Sequence, residues 1–168
     1  MINSLSGRLL ILTTIFVMIA EVLIFVPSIA RFREDYLNNR LERAQIASLA
    51  LLADDMIDGE LEKELLENAG VFNVVLRRDK MRQLMLSSEI PHPISSTFDL
   101  RNDSAWVLIR NALSRFVSPE NEIIRVIGAP VRDAGLLIEI TMETQPLRMA
   151  MIDYGIRILV LSAVISVI

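Results

Sequence analysis

Side chains that commonly perform catalysis or bind metal ions are sparse in this sequence. His92 is the only histidine, and the chain contains no cysteine, so it offers neither a zinc ligand set nor a nucleophile partnered by a base. His92 lies between Pro91 and Pro93. A histidine could act as a pH switch, although an ordinary loop residue is the favoured interpretation. The sequence therefore predicts no catalytic site.

Acidic residues are concentrated in one short stretch, where they could bind a divalent cation or simply form helix caps and a solvated helix face. The stretch lacks the alternating ligand spacing and the bidentate glutamate of a dedicated calcium loop, which favours the second interpretation. Its members are Asp54, Asp55, Asp58, Glu60, Glu62, Glu64 and Glu67.

The hydrophobic residues are distributed unevenly along the chain. They make up 52% of it at a mean hydropathy of +0.45, alongside 23% charged residues. The excess lies at the two ends, in Leu9–Ala30 and from about Ile156 onward. The intervening residues 31–153 carry 15 Lys and Arg against 20 Asp and Glu. This acidic balance argues against nucleic acid as a partner, because nucleic-acid-binding surfaces are usually basic.

The first apolar segment, Leu9–Ala30, is 22 residues long and contains one charge, Glu21. As a helix it would extend about 33 Å, enough to cross the roughly 30 Å hydrocarbon core of a bilayer. A cleaved signal peptide is the alternative, since Ser28–Ala30 fits a cleavage site, but the apolar run is longer than usual for one. We therefore predict an uncleaved membrane anchor preceded by residues 1–8 in the cytoplasm.

Two residues inside this segment are unusual for a membrane helix. A carboxylate such as Glu21 is costly at mid-membrane, so it is either protonated and tolerated or engaged in pairing with another helix. Pro27 should kink the helix or mark its boundary.

The second apolar segment begins inside a helix that Pro146 is expected to start. About 12 apolar residues precede Ile168, fewer than the roughly 20 that a spanning helix needs. We interpret residues 154–168 as the start of a truncated second membrane helix, the alternative being a complete protein with an interfacial helix. No Gly/Ser linker separates this helix from the preceding hairpin, so movement of the sheet could pull on it directly.

Between the two segments, residues 31–153 should form one α+β domain with about four antiparallel strands and helices on one face. A long helix over residues 31–55 leads into it. Its apolar positions repeat with 4-3-4-3 spacing, which predicts either a dimer stalk or a core-facing stripe. That seam consists of Leu37, Leu41, Ala44, Ser48 and Leu51; a second stripe consists of Ile46, Leu49, Ala53 and Met56.

The remaining elements follow from periodicity and turn signals. In the helix predicted to run from about position 104 to Val117, the apolar face should contain Trp106, Ile109, Ala112, Leu113 and Phe116. In chain order we predict a short helix Glu60–Asn68 capped by Asp58 and Gly70, a hairpin of Val71–Leu76 and Met81–Leu86, a loop over 87–103, the helix ending at Val117, and a hairpin of Ile123–Val131 and Leu136–Met142.

This order resembles the N-terminal sensor region of bacterial two-component sensor histidine kinases. Those receptors have a PAS-like (PDC-type) periplasmic domain between two membrane helices. The resemblance rests on the anchor and its continuation RFREDYLNNRLERAQIASLALLADD, on the hairpin VFNVVLRRDKMRQLMLSS, and on residues 123–164. Chemoreceptors and membrane diguanylate cyclases have the same arrangement at their N-termini.

The resemblance implies a bacterial inner-membrane receptor with a periplasmic middle region, acting as a homodimer on a small-molecule or ion stimulus. No cofactor is expected in this chain; ATP and Mg would serve a missing kinase core, whose partner would be a response regulator. In PAS-like sensors ligands lie between the sheet and the segment joining the hairpins. Here that segment offers His92, Asp99, Arg101, Trp106 and Arg110. The alternative function is a membrane-anchored scaffold of the cell envelope without signalling output.

Overall fold

The computed structural model describes residues 5–53, 58–77, 82–133 and 135–167. These residues form an α+β fold in which one mixed sheet packs against helices. The elements are α1 (Leu5–Ala53), α2 (Gly59–Ala69), β1 (Asn73–Arg77), β2 (Arg82–Ser87), β3 (Ile94–Asp99), α3 (Ala105–Val117), β4 (Ile123–Gly128), β5 (Leu137–Glu143) and α4 (Thr144–Val167).

The helix α1 is continuous and does not end at Pro27, so the interpretation of that proline as a boundary is wrong. Within the described residues, α1 is the one helix whose length and composition would allow it to cross a membrane. Its most apolar window of 18 residues has a mean hydropathy of 2.8 and is entirely unburied. A core helix of a soluble protein would bury such a window, so this window of α1 is not part of the domain core, whereas Ile29 and Ala30 at the end of the apolar segment are buried in it.

The sheet has the strand order β2-β1-β5-β4-β3. Both predicted hairpins are confirmed, since β1 pairs with β2 and β4 with β5 in antiparallel fashion. The strands β1 and β5 also pair antiparallel and join the two hairpins into one sheet. The C-terminal half of the domain is thereby tied to its N-terminal half by backbone hydrogen bonds.

The predicted loop over residues 87–103 is wrong in one part, because β3 lies within it. This strand is parallel to β4 and forms the edge of the sheet, so the sheet has five strands and is mixed rather than antiparallel. The alternation is weak because Ser95, Ser96 and Thr97 are all exposed, while Phe98 packs against the core. β3 thus depends on the neighbouring strand more than on its own propensity.

The seam predicted for dimerisation is buried within the single chain. Leu37, Leu41, Ala44 and Ser48 are each at most 4% exposed within the single chain, because this face of α1 covers the inner face of the sheet. The approach is close enough that a Cβ added at Gly128 of β4 would clash with Leu41. These four side chains belong to the domain core, and the side chain of the fifth predicted seam residue, Leu51, lies outside the described residues.

The second stripe on α1 is differently placed. Ile46 is 63% and Leu49 is 41% exposed, so this stripe is open to solvent in the single chain. The side chain of Ala53 and the whole of Met56 lie outside the described residues. A homodimer through α1, which stays a prediction, would have to use this stripe rather than the buried seam.

The short helix α2 ends as the sequence predicts. Gly70 adopts the left-handed conformation with φ of 69°, and its N–H bonds to the Glu67 carbonyl at 3.0 Å. Arg40 of α1 donates from Nη1 to the Ala69 carbonyl at 2.9 Å, which fastens the end of α2 to α1. Asp58 occupies the predicted cap position but makes no side-chain cap hydrogen bond.

The last helix packs antiparallel against α1. Tyr154 stacks on Phe32 with ring centroids 4.3 Å apart. Further along, the Ser162 hydroxyl donates to Oε1 of Glu21 at 2.8 Å. Glu21 therefore takes part in the pairing of α1 with α4, the second of the two explanations given for it. Because α4 starts at Thr144, directly after the last residue of β5, no flexible segment separates the sheet from this helix.

Candidate functional site

The five residues suggested as ligand contacts do not form one group of mutual contacts in the structure. His92 is exposed and lines a shallow cleft with its own neighbours at positions 90–94. Trp106 is 80% exposed and Arg110 is also exposed. A hydrogen bond or ion pair joins only Asp99 to Arg101 among these five described residues. A common ligand site built from this set stays a prediction.

The pair that does form is a strong local interaction. Arg101 donates from Nε and Nη2 to the two carboxylate oxygens of Asp99, at 2.9 and 2.6 Å. These hydrogen bonds lower the pKa of Asp99 from its ordinary value and raise that of Arg101. The guanidinium of Arg101 is thus already occupied by a carboxylate of its own chain.

The exposure of Trp106 corrects the predicted apolar face of α3. The face turned toward the domain contains Ala112, which is 1% exposed, together with Leu108, Ile109 and Phe116. Trp106 lies on the other side of the helix, and Leu113 is 39% exposed. A two-sided distribution of apolar residues explains why the inward face could not be chosen from periodicity alone.

The unusual buried group of the domain is Arg33 on α1, only 1% exposed. Its Nε and Nη1 atoms have no hydrogen-bond partner among the described residues, and the guanidinium lies 4.6 Å from the ring centroid of Phe98. Burial lowers the pKa of Arg33 to about 10, an effect that Asp103 opposes and Arg115 reinforces. At neutral pH the side chain is therefore a buried cation with incomplete hydrogen bonding, which is costly unless something compensates it.

A partly open cavity of about 220 Å³ adjoins Arg33. By the volume that one water occupies, it has room for on the order of seven waters, so it suits a small ligand. Its lining is mostly polar or charged, with three apolar side chains. The residues are Arg33 from α1, Ser96 and Phe98 from β3, Asn111, Ser114 and Arg115 from α3, Ser118, Glu122, Ile124 from β4, and Leu147 from α4.

Arg115 connects this cavity to the start of α4. It forms an ion pair with Glu122 at 2.7 Å and donates from Nη1 to Oγ1 of Thr144 at 3.0 Å. The same hydroxyl accepts the Glu122 N–H at 2.9 Å, and Thr144 is 1% exposed. The junction between β5 and α4 is thus held by a buried polar network that shares two residues, Arg115 and Glu122, with the cavity wall.

A larger cleft of about 650 Å³ lies elsewhere, between the end of α2, the first hairpin and the start of α4. It is more open than the Arg33 cavity, and its charged lining is mainly acidic. Lys63, the one cation lining it, lies 3.9 Å from Glu67 in an exposed ion pair. No lining side chain of this cleft is among the buried groups without partners. It therefore lacks a buried cation with incomplete hydrogen bonding such as Arg33.

The described residues contain no group of three or more His, Asp and Glu side chains able to hold a metal ion. Asp54 and Asp55 of the predicted acidic stretch lie outside the described part of the chain, and Glu62 accepts the Ser87 N–H at 3.0 Å. No family model, curated protein or solved structure matches this chain. Its function must therefore be inferred from the fold and the cavity.

The sequence did contain a signal for Arg33. The residue lies four positions before Leu37 and so extends the buried seam toward the N-terminus, on the same helix face. It was interpreted as a charge flanking the apolar segment. Arg115 had no comparable signal, because its partners Glu122 and Thr144 come from another loop and another helix.

Proposed function

We propose that this chain is the sensor (input) region of a transmembrane receptor, and that a small oxyanion bound at the Arg33 cavity is its stimulus. The observation that carries the proposal is the position of the cavity. The cavity beside the buried Arg33 of α1 is also lined by Leu147 of α4, and α1 and α4 are the two helices whose apolar segments lead away from the domain. Occupancy of this cavity can act on both helices at once.

The charge balance supports an oxyanion as the ligand. Arg33 lacks hydrogen-bond acceptors for two of its nitrogen atoms, and a carboxylate or phosphate oxygen would supply them. Those two atoms are closed to solvent, so the ligand would meet the guanidinium after a small rotation of the side chain. Asn111 and Ser114 on the cavity wall provide further hydrogen-bonding groups. The small volume favours a compact anion over a drug-sized molecule.

The rigid connections of the domain support signalling as the output. A ligand between α1 and α3 would alter the spacing of those helices, and Arg115 would pass the change to the first residue of α4. Since β5 continues into α4 without a linker, the displacement would travel along a stiff path. The antiparallel contact of α4 with α1 at Phe32 and Tyr154 would convert it into a relative shift of two helices.

The remaining parts of the proposal follow the family resemblance. The apolar part of α1 would anchor the receptor in a bacterial inner membrane, the domain would lie in the periplasm with a PAS-like role, and α4 would continue as a second membrane helix. The output would be a histidine kinase using ATP and Mg, with a response regulator as its partner. The coding sequence after Ile168 tests this part, since a HAMP-like segment followed by a histidine phosphorylation box is expected.

The ligand proposal is tested by thermal unfolding of the whole chain in detergent. Acetate, succinate and inorganic phosphate are added one at a time, with chloride at equal ionic strength as the control. At a concentration of 100 times the Kd, a ligand stabilises its protein by about 2.7 kcal/mol. We expect at least one of the three anions to raise the unfolding temperature of the wild type and to leave Arg33→Met unchanged. Equal stabilisation of both proteins, or no effect of any anion beyond chloride, would refute an oxyanion site at Arg33.

A further inference from the structure

The outward face of α3 carries large apolar side chains that none of the described residues covers. Trp106 is 80%, Val117 is 76% and Leu113 is 39% exposed. Together with the exposed Arg110, they follow the spacing of one stripe on a helix. The opposite face packs against the domain. Both faces of α3 therefore carry apolar side chains, but only one face is buried.

The position of α3 relative to the apolar segment of α1 indicates what covers this stripe. Phe116, near the end of α3, meets Phe25 edge to face with ring centroids 6.2 Å apart. Phe25 lies five residues before Ala30, the last residue of the apolar segment, which is about 8 Å along the helix axis. The contact is therefore inside the apolar segment rather than beyond it.

The other end of α3 is also beside the outer end of this segment. Ala105, Leu108 and Ile109 line a cleft together with Pro27, Ser28 and Ala30 of α1. Both ends of α3 therefore lie at the level where the apolar segment of α1 ends. If that segment spans the bilayer as proposed above, α3 is at the surface of the membrane on the side of the domain.

We propose that α3 lies on the outer surface of the bilayer, with the stripe Trp106–Arg110–Leu113–Val117 in contact with lipid. Tryptophan is enriched at the boundary between hydrocarbon and headgroups, and apolar side chains on one face of a helix bind that boundary in proportion to the area they bury. Arg110 in the middle of the stripe can extend its guanidinium to lipid phosphates. The proposal rests on α1 being a membrane anchor.

This contact would make the state of the membrane an input to the receptor. Arg115, which lines the Arg33 cavity and holds Thr144, is a residue of the same helix. A change in how deeply α3 sits at the surface would thus act on the junction that leads into α4. The lipid surface and the oxyanion would share one output path.

The test uses the fact that Trp106 is the only tryptophan of the chain. The full chain is reconstituted in phosphatidylcholine vesicles, with and without lipids brominated near the headgroup, and its fluorescence is measured with acrylamide as the aqueous quencher. A tryptophan at the lipid boundary should lose about half its emission to brominated lipid and be largely protected from acrylamide. Val117→Asp should weaken the lipid quenching about twofold, whereas the isosteric Val117→Thr should retain most of it.

Two single-tryptophan controls in a Trp106→Phe background calibrate the result. Leu23→Trp, at a site in the apolar segment that is 68% exposed, should be quenched strongly by brominated lipid. Ile46→Trp, at a site 63% exposed and about 24 Å beyond Ala30 along α1, should be quenched only by acrylamide.

The controls also separate the two proposals. If Leu23→Trp is not quenched by brominated lipid, the membrane anchor itself is wrong. If Leu23→Trp is quenched while Trp106 responds to acrylamide alone, the anchor stands and the lipid contact of α3 is refuted. Protection of Trp106 from both quenchers that disappears on dilution of the protein in the vesicles would assign the stripe to a second copy and would equally overturn the lipid contact.

Discussion

Replacing Arg33 by methionine should make the domain more stable and at the same time unable to bind the oxyanion. The side chain is buried, its pKa falls to about 10, and burial is the largest cause. At about 1.4 kcal/mol for each tenfold change in an equilibrium constant, the lowering of the pKa corresponds to roughly 3 kcal/mol of lost stability. The attraction of Asp103 is already included in that value.

The sign follows from proton binding. For a basic group whose pKa is lowered by folding, the charged form costs stability at every pH below the folded pKa, and the cost declines only as the pH rises above about 10. Methionine removes this cost at neutral pH but loses the cation–π contact with Phe98, which is worth about 1 kcal/mol. The expected net gain is about 2 kcal/mol, or roughly 8 °C in unfolding temperature for a domain of this size.

The assay is thermal unfolding in detergent at neutral pH, followed by circular dichroism in a buffer without carboxylates or phosphate. Arg31→Met is the matched control, because Arg31 is exposed on the same helix and its loss should change little. Arg33→Lys keeps a buried charge and should bring no gain. A fall in the unfolding temperature of Arg33→Met would refute the reasoning, since it would mean that Arg33 is a satisfied structural cation.

Three further substitutions test the connections around the site. Thr144→Val removes the acceptor of the Glu122 N–H and one of the two acceptors of Arg115 Nη1, and should cost about 1–3 kcal/mol in thermal unfolding. Thr144→Ser should cost much less, and equal losses would contradict the role of the hydroxyl. Glu21→Leu should weaken the contact of α1 with α4 at Ser162 by about 0.6–2 kcal/mol, and the readout is reduced disulfide crosslinking between the two helices. Glu21→Gln should preserve the contact. Unchanged crosslinking in Glu21→Leu would exclude the hydrogen bond. Arg101→Gln should return the pKa of Asp99 to its ordinary value in an NMR titration. The pair adds a small stability above that ordinary pKa and loses it as the pH falls through the lowered pKa, so this pH dependence of stability should disappear in the variant. An unmoved pKa would show that another group lowers it.

The parts of the fold that the sequence predicted are those set by local patterns. Both hairpins and the end of α2 at Gly70 were found, because turn residues and β-branched runs specify them within a few positions. The strand β3 was missed because its partner β4 is separated from it by α3. The seam on α1 was recognised as a stripe, but a stripe alone does not reveal whether a sheet or a second subunit covers it.

The candidate site was harder to predict, because its properties arise from burial. An arginine just after an apolar segment is common at a membrane boundary, and only the fold places Arg33 beneath α3 beside Phe98. Among the residues suggested by resemblance, Asp99 and Arg101 form an ion pair at the surface. Asp99 and Arg101 are two positions apart and satisfy each other, which leaves neither charge for a ligand.

The account depends most on the claim that an anion in the Arg33 cavity shifts α4 against α1. Asn111 lines the cavity, so Asn111→Asp places a tethered carboxylate there without knowledge of the natural ligand. Spin labels at Met18 and Ile165, which are 61% and 66% exposed, report the distance between the two helices by double electron–electron resonance in vesicles. We predict that Asn111→Asp changes the distance distribution and that adding Arg33→Met abolishes the change. An unchanged distribution in Asn111→Asp, or a change that persists without Arg33, would contradict the claim.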